Sequence, residues 1–158
     1  MPGCAFRAPW LPGVPGETTV PSSQKAAFRG DFMERQTLSI SGIPAILWGK
    51  ASDSVYIHVH GKQSRKEYAR AFAEIAGEKG WQTLSFDLPG HGERTGQPDR
   101  CDLLTGVRDL NRVADYVFPR WRHVALYACS LGAWFALNAC QDRRLEKCLL
   151  QSPIVDMR

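Results

Sequence analysis

Short apolar runs separated by turn-forming residues recur from residue 35 to residue 152. "RQTLSIS" and "PAILWG" predict two short strands joined through Ser41, Gly42 and Ile43, a hairpin. "SVYIHVHG" is an apolar, β-branched run of the kind that is covered on both faces of a sheet. From Ser64 the period changes to that of a helix. Ser64 and Glu67 have capping-box spacing, Tyr68, Ala71, Phe72, Ile75 and Ala76 share one face, and Gly80 follows the end. "WQTLSFD" predicts the next strand, ending at Asp87, and "LPGHGERTGQPD" a turn-rich loop. Leu103, Val107, Leu110, Ala114 and Val117 recur at helical spacing until Pro119 stops them. "HVALYA" predicts a further strand, Leu131 to Cys140 a helix, and "KCLLQS" a last strand.

Strands that alternate with amphipathic helices imply βαβ units, so the predicted class is α/β, a mostly parallel sheet with helices on both faces. In such sheets ligands bind beyond the carboxyl ends of the strands. The residues there are His60-Gly61-Lys62, Asp87 to Gly92, and Ser130. The chain has no internal repeat and no G-x-x-x-x-G-K-[ST] run, and Gly90, Gly92 and Gly96 miss the G-x-G-x-x-G spacing.

Composition adds bounds. With 158 residues, 44% hydrophobic and 23% charged, the chain matches one soluble globular domain. A net charge of +4, spread along the chain, argues against a nucleic-acid stripe. No apolar run is long enough for a membrane span. Five cysteines without a C-x-x-C pair, several in apolar surroundings, point to reduced thiols and a cytoplasmic setting. Residues 1–32 hold five of the ten prolines and lack hydrophobic periodicity, so they are expected to form a flexible Pro/Gly-rich leader. They lack the n- and h-regions of a secretory signal, and Met33 is the expected natural start. Residues 33–158 form the predicted folded domain.

In Ala128-Cys129-Ser130-Leu131-Gly132, a buried strand turns into a helix within about one residue, the arrangement of a G-x-S-x-G elbow with alanine in place of the first glycine. Such a turn lifts its central side chain clear of the backbone and requires small residues two positions either side. Cys129 fails that test, because Leu131 stands two positions on, so the elbow centres on Ser130. A serine attacking an acyl carbon generates an oxyanion that needs backbone N–H donors. Leu131, at the positive end of the following helix, is one expected donor. Lys62, after a glycine that permits close backbone approach, is the other.

The text "VHG", "GWQTLSFDLPGHGERTG" and "YACSLGAW", in that order from about Ser54 to Pro153, resembles the α/β-hydrolase superfamily, in particular its monoglyceride-lipase-like and serine-aminopeptidase-like branch. The resemblance implies a serine hydrolase of an ester, thioester or amide of a small acyl substrate, working through a Ser130 acyl-enzyme with Lys62 and Leu131 as oxyanion donors and no cofactor. In that family the triad runs serine, acid, histidine. Here no histidine follows Ser130: His58, His60, His91 and His123 all precede it. Of the later acids, Asp142, Glu146 and Asp156, only Asp156 stands where a minority of the family places the acid. The expectation is therefore a C-terminally truncated domain holding about the first six of eight strands, inactive by itself, with "KCLLQS" an exposed apolar edge. The alternative is a non-catalytic binding protein of the same fold that has lost its triad. A third reading takes His58-x-His60 as a metal pair, since alternate strand residues share a face.

Overall fold

The computed structural model describes residues 33–140 and 143–156. The leader expected over residues 1–32 lies outside the described residues. Nine principal elements follow in order: β1 (Arg35–Ile40), β2 (Ile43–Trp48), β3 (Ser54–Val59), α1 (Arg70–Glu78), β4 (Gln82–Phe86), α2 (Leu103–Val117), β5 (His123–Cys129), α3 (Leu131–Ala139) and β6 (Lys147–Gln151). The strands form one sheet in the order β1-β2-β4-β3-β5-β6. β1, β2 and β4 pair antiparallel, whereas β4, β3, β5 and β6 run parallel.

The β1–β2 hairpin closes through Ser41 and Gly42, both with positive φ (51° and 82°). Two successive positive φ values define the two-residue turn whose twist matches that of the flanking strands. Ile43 is therefore already in β2 and pairs with Ile40.

The helices divide between the faces as crossover handedness requires. Passing from β4 over β3 to β5, and from β5 to β6, the chain moves in one direction along the sheet; from β3 to β4 it moves in the other. Right-handed crossovers then set α2 and α3 on one face and α1 on the opposite one. The α2/α3 face holds the main core, where Leu110, Val113, Val117, Ala133 and Phe135 pack on Val55, Ile57, Leu84, Phe86 and Leu126. α2 and α3 approach closely at Gly106, where a Cβ would lie 2.7 Å from the Phe135 ring. On the other face Ala73 packs with Ile46 and Trp48, and Ala76 with Tyr56 and Ala125.

The first helical segment departs from its pattern. A 3-10 turn, Lys66–Ala69, precedes α1, its cap is Arg65, and no side chain caps it, so the Ser64–Glu67 box is absent. Tyr68 and Ile75 are 61% and 65% exposed, and the buried line runs through Lys66, Ala69, Ala73 and Ala76. Lys66 lies on this line with its buried ammonium bound to Asp87, and of the predicted face only Ala76 is buried and Phe72 packed, on Tyr56 and Tyr127. β6 matches expectation: all five of its residues are exposed, Leu149 and Leu150 included.

Candidate functional site

Ser130 stands between β5 and α3 with φ 50° and ψ −114°. A non-glycine residue in that region carries about 1–3 kcal/mol of backbone strain, held only where the surroundings over-determine it. They do here. The Ser130 N–H donates to the Gln151 carbonyl (2.9 Å), and the Ser130 carbonyl accepts from Ala133 (3.0 Å), Trp134 (3.3 Å) and Ile154 (3.5 Å). Ala128 is fully buried in register between Val59 and Leu150, so its methyl is accommodated. Gly132 has no such room: a Cβ there would lie 2.4 Å from the His60 carbonyl oxygen and 2.8 Å from that of Val59. Cys129 is an ordinary strand residue, and the sharp turn falls at Ser130.

The loop after β3 reaches this turn. A Cβ on Gly61 would lie 3.3 Å from Ser130 Cβ and 3.4 Å from the Cys129 carbonyl oxygen. Lys62 follows, its side chain exposed. Leu131 is the first residue of α3, and the helix's bonding to the Ser130 carbonyl begins at Ala133, so the Leu131 N–H lies outside the helical ladder. Ser130, Gly61-Lys62 and Leu131 thus gather at one sheet edge.

The histidines sort by position. His60 is 2% exposed; its Nε2 accepts from the Leu88 N–H (3.1 Å), which leaves the proton on Nδ1 to donate to the Gly61 carbonyl (2.8 Å). Burial, with the nearby His91 adding to it, outweighs the Gly61 bond and lowers its pKa to about 4. With both ring nitrogens engaged, His60 has no lone pair for a metal, which removes one half of the His58-x-His60 pair. His58 is buried against Phe72 and stacked on Tyr127 at 4.7 Å, its Nδ1 has no partner among the described residues, and burial lowers its pKa to about 4 as well. His91 donates from Nδ1 to the Pro89 carbonyl (2.9 Å). His123 opens β5, about 20 Å of strand from Ser130, and pairs with Glu146. Asp156 is exposed, two residues beyond the Ile154 that bonds to the Ser130 carbonyl.

Buried charges hold the loop after β4, and of these the sequence pattern marks Asp87 as a strand end but neither Lys66 nor the Arg94–Asp109 pair. Asp87, with no exposure, accepts from the Lys66 N–H (2.9 Å), Lys66 Nζ (2.7 Å) and the Glu93 N–H (3.0 Å). Lys66 Nζ also meets Glu93 (2.7 Å) and Glu67 (3.0 Å). Burial works to lower the Lys66 pKa, but these carboxylates more than offset it and raise the pKa above the ordinary lysine value. Arg94 donates to Asp109 (2.6 Å), Asp99 (3.0 Å) and the Asp87 carbonyl (3.3 Å). The β4 loop is thus pinned from both sides. Gly92 fits against the Asp87 carboxylate, where a Cβ would lie 2.2 Å from Oδ1. One signal was available: Asp109 lies three residues from Gly106 and four from Val113, inside the apolar stripe of α2. Nothing in the local pattern singles out Lys66.

Neither protein-family models nor curated proteins match this chain. Solved structures do. It is similar to a Thermus thermophilus protein (24% identity, TM-score 0.63, covering 79% of this chain and 63% of that one). A cold-adapted esterase from an Arctic intertidal metagenomic library is similar too (23%, TM-score 0.59, 75% and 59%). So is the thioesterase domain of the curacin biosynthetic pathway (20%, TM-score 0.65, 80% and 48%). The chain spans less than two-thirds of the length of each. At these identities the likeness shows the fold, which is the α/β-hydrolase fold. Among the described residues no helix is long and apolar enough to cross a membrane.

Proposed function

We propose that residues 33–158 are the nucleophile-bearing, N-terminal part of a serine hydrolase acting on an ester, thioester or amide of a small acyl substrate. The observation that carries this reading is the strained Ser130 at the β5–α3 turn, packed against the Gly61 loop. Ser130 Oγ attacks the acyl carbon, its proton passes to a base, and the carbonyl electrons move onto oxygen. The N–H groups of Leu131 and Lys62 then stabilise that oxyanion. Collapse expels the alcohol, thiol or amine and leaves the acyl group on Ser130 until water removes it. The resemblance of "VHG", the β4 loop and the elbow to the monoglyceride-lipase-like and serine-aminopeptidase-like branch supports acyl chemistry. Four unpaired thiols among the described residues, Cys101, Cys129, Cys140 and Cys148, fit a reducing, cytoplasmic setting.

No histidine follows Ser130 to complete the serine, acid, histidine order, and His60, at the correct edge, is fully engaged, so these residues alone are expected to turn over no substrate. The same observation favours a second reading, a non-catalytic binding protein of the same fold that has lost its triad. Both readings meet one experiment on protein made in its own host from the unaltered gene. A burst of nitrophenol from p-nitrophenyl acetate, abolished by Ser130→Ala, marks the hydrolase. Absence of a Ser130-dependent burst marks the binder.

A further inference from the structure

The Gly61–Lys62 peptide unit ties the candidate site to the buried framework. A trans peptide is planar, so its C=O and N–H point in opposite directions, and fixing one end fixes the other. The carbonyl end, Gly61 O, accepts from His60 Nδ1 at 2.8 Å. The amide end is the N–H of Lys62. The His60 ring is in turn fixed from the far side, where Nε2 accepts from the Leu88 N–H at 3.1 Å. Leu88 follows Asp87, which Lys66 and the Glu93 N–H hold in place. The His60 carbonyl oxygen also lies close against α3, within 2.4 Å of where a Cβ on Gly132 would stand.

We propose that His60 is a positioning residue that aims the Lys62 N–H at the oxyanion by holding the opposite end of the same peptide, with the β4 loop as its anchor. This rests on the reading of Lys62 as an oxyanion donor. It gives the histidine a task that needs a neutral ring with a donor on one nitrogen and an acceptor on the other. A protonated ring would lose the Leu88 bond, and the opposite tautomer would lose both.

Two substitutions separate the ring's halves. In His60→Asn the amide N–H occupies the place of Nδ1 and keeps the bond to Gly61 O while losing that to Leu88. In His60→Gln the side-chain oxygen reaches the place of Nε2 and keeps Leu88 while losing Gly61. Protein labelled with ¹³C-carbonyl glycine and ¹⁵N-lysine reports directly on Gly-Lys peptides. The chain has two of these, Gly49-Lys50 and Gly61-Lys62, told apart with Lys62→Arg. The Gly61 carbonyl and Lys62 amide resonances should move in His60→Gln and stay near parent positions in His60→Asn. In protein from its own host, acylation by p-nitrophenyl acetate should fall about ten- to a hundredfold in kcat with KM unchanged for His60→Gln, and by less than about threefold for His60→Asn. Equal effects of the two variants, tracking their unfolding midpoints, would reduce His60 to a structural residue and overturn the proposal; so would unmoved resonances in His60→Gln. If the parent shows no Ser130-dependent acylation, the hydrolase reading fails, while the resonances still decide whether His60 orients the peptide.

Discussion

The tightest contact at the elbow yields a prediction whose sign is diagnostic. Gly132 is the second residue of α3, and its φ is not positive, so alanine fits the backbone there. Intrinsic propensity alone would make Gly132→Ala stabilising by about 0.8–1 kcal/mol. Space argues the other way. The added Cβ would meet the His60 oxygen at 2.4 Å, the Val59 oxygen at 2.8 Å and Val59 Cγ1 at 2.9 Å, two of them backbone atoms at the end of a central strand. Relief requires α3 to move by roughly an ångström, and overpacking of this kind costs about 1–3 kcal/mol. The net expectation is a loss of up to about 2 kcal/mol. Gly77 in α1 is the control, since its Cβ would meet nothing within 4 Å, and Gly77→Ala should gain stability by propensity. Gly61→Ala, with nearest contacts of 3.3–3.7 Å, should fall between. Urea midpoints by pulse proteolysis, at concentrations too low for association, rank the three. If Gly132→Ala rises with Gly77→Ala, the close approach of α3 to β3 is wrong and the elbow argument with it.

Lys66→Met should destabilise by about 3–5 kcal/mol, because it strands the Asp87 carboxylate without its cation. Since the folded lysine pKa is raised, the cluster's contribution is full below the unfolded value near 10.4 and is lost only as pH climbs past the folded one. The deficit of the variant should therefore be as large at pH 9.5 as at pH 7, and a deficit that shrinks by pH 9.5 would count against the ion cluster. Acid acts through the histidines. With folded pKa values lowered from 6.5 to about 4, His58 and His60 have no effect above pH 6.5. Below it the unfolded chain binds protons that the folded chain refuses, so stability falls with decreasing pH, by at most roughly 3 kcal/mol per histidine. Urea midpoints between pH 7 and 4.5 should lose about half of that slope in His58→Phe, and an unchanged slope would contradict the burial argument. At the open edge, Leu149→Lys should raise the concentration at which the protein associates, followed by light scattering, because β6 presents exposed leucines beside unpaired strand edges. An unchanged threshold would show that association proceeds elsewhere.

Much of this architecture was legible because it follows from period. The switch from apolar strand runs to helical spacing gives the strands and helices in order, and the brevity of "CSLG" between strand and helix gives the elbow. Strand ends then locate Gly61, Asp87 and Ser130 together without any contact information. The failures share a cause. Of the helical stripe Tyr68, Ala71, Phe72, Ile75 and Ala76, only Phe72 and Ala76 face the sheet, and the buried line also takes in Lys66, paired with Asp87 twenty-one residues away. A lysine reads as solvent-facing until its partner is known. The His60 bonds to Leu88 and Gly61 are equally invisible, since nothing local separates a histidine that orients a peptide from one that binds a metal or accepts a proton.

The central claim is that Ser130 was shaped to attack an acyl carbon. A fluorophosphonate applied to the protein made in its own host, followed by digestion and tandem mass spectrometry, tests it most directly. A single adduct on Ser130 is expected, lost in Ser130→Ala and retained in Cys129→Ala. An adduct on Cys129 or elsewhere, or no adduct on folded protein, would contradict it.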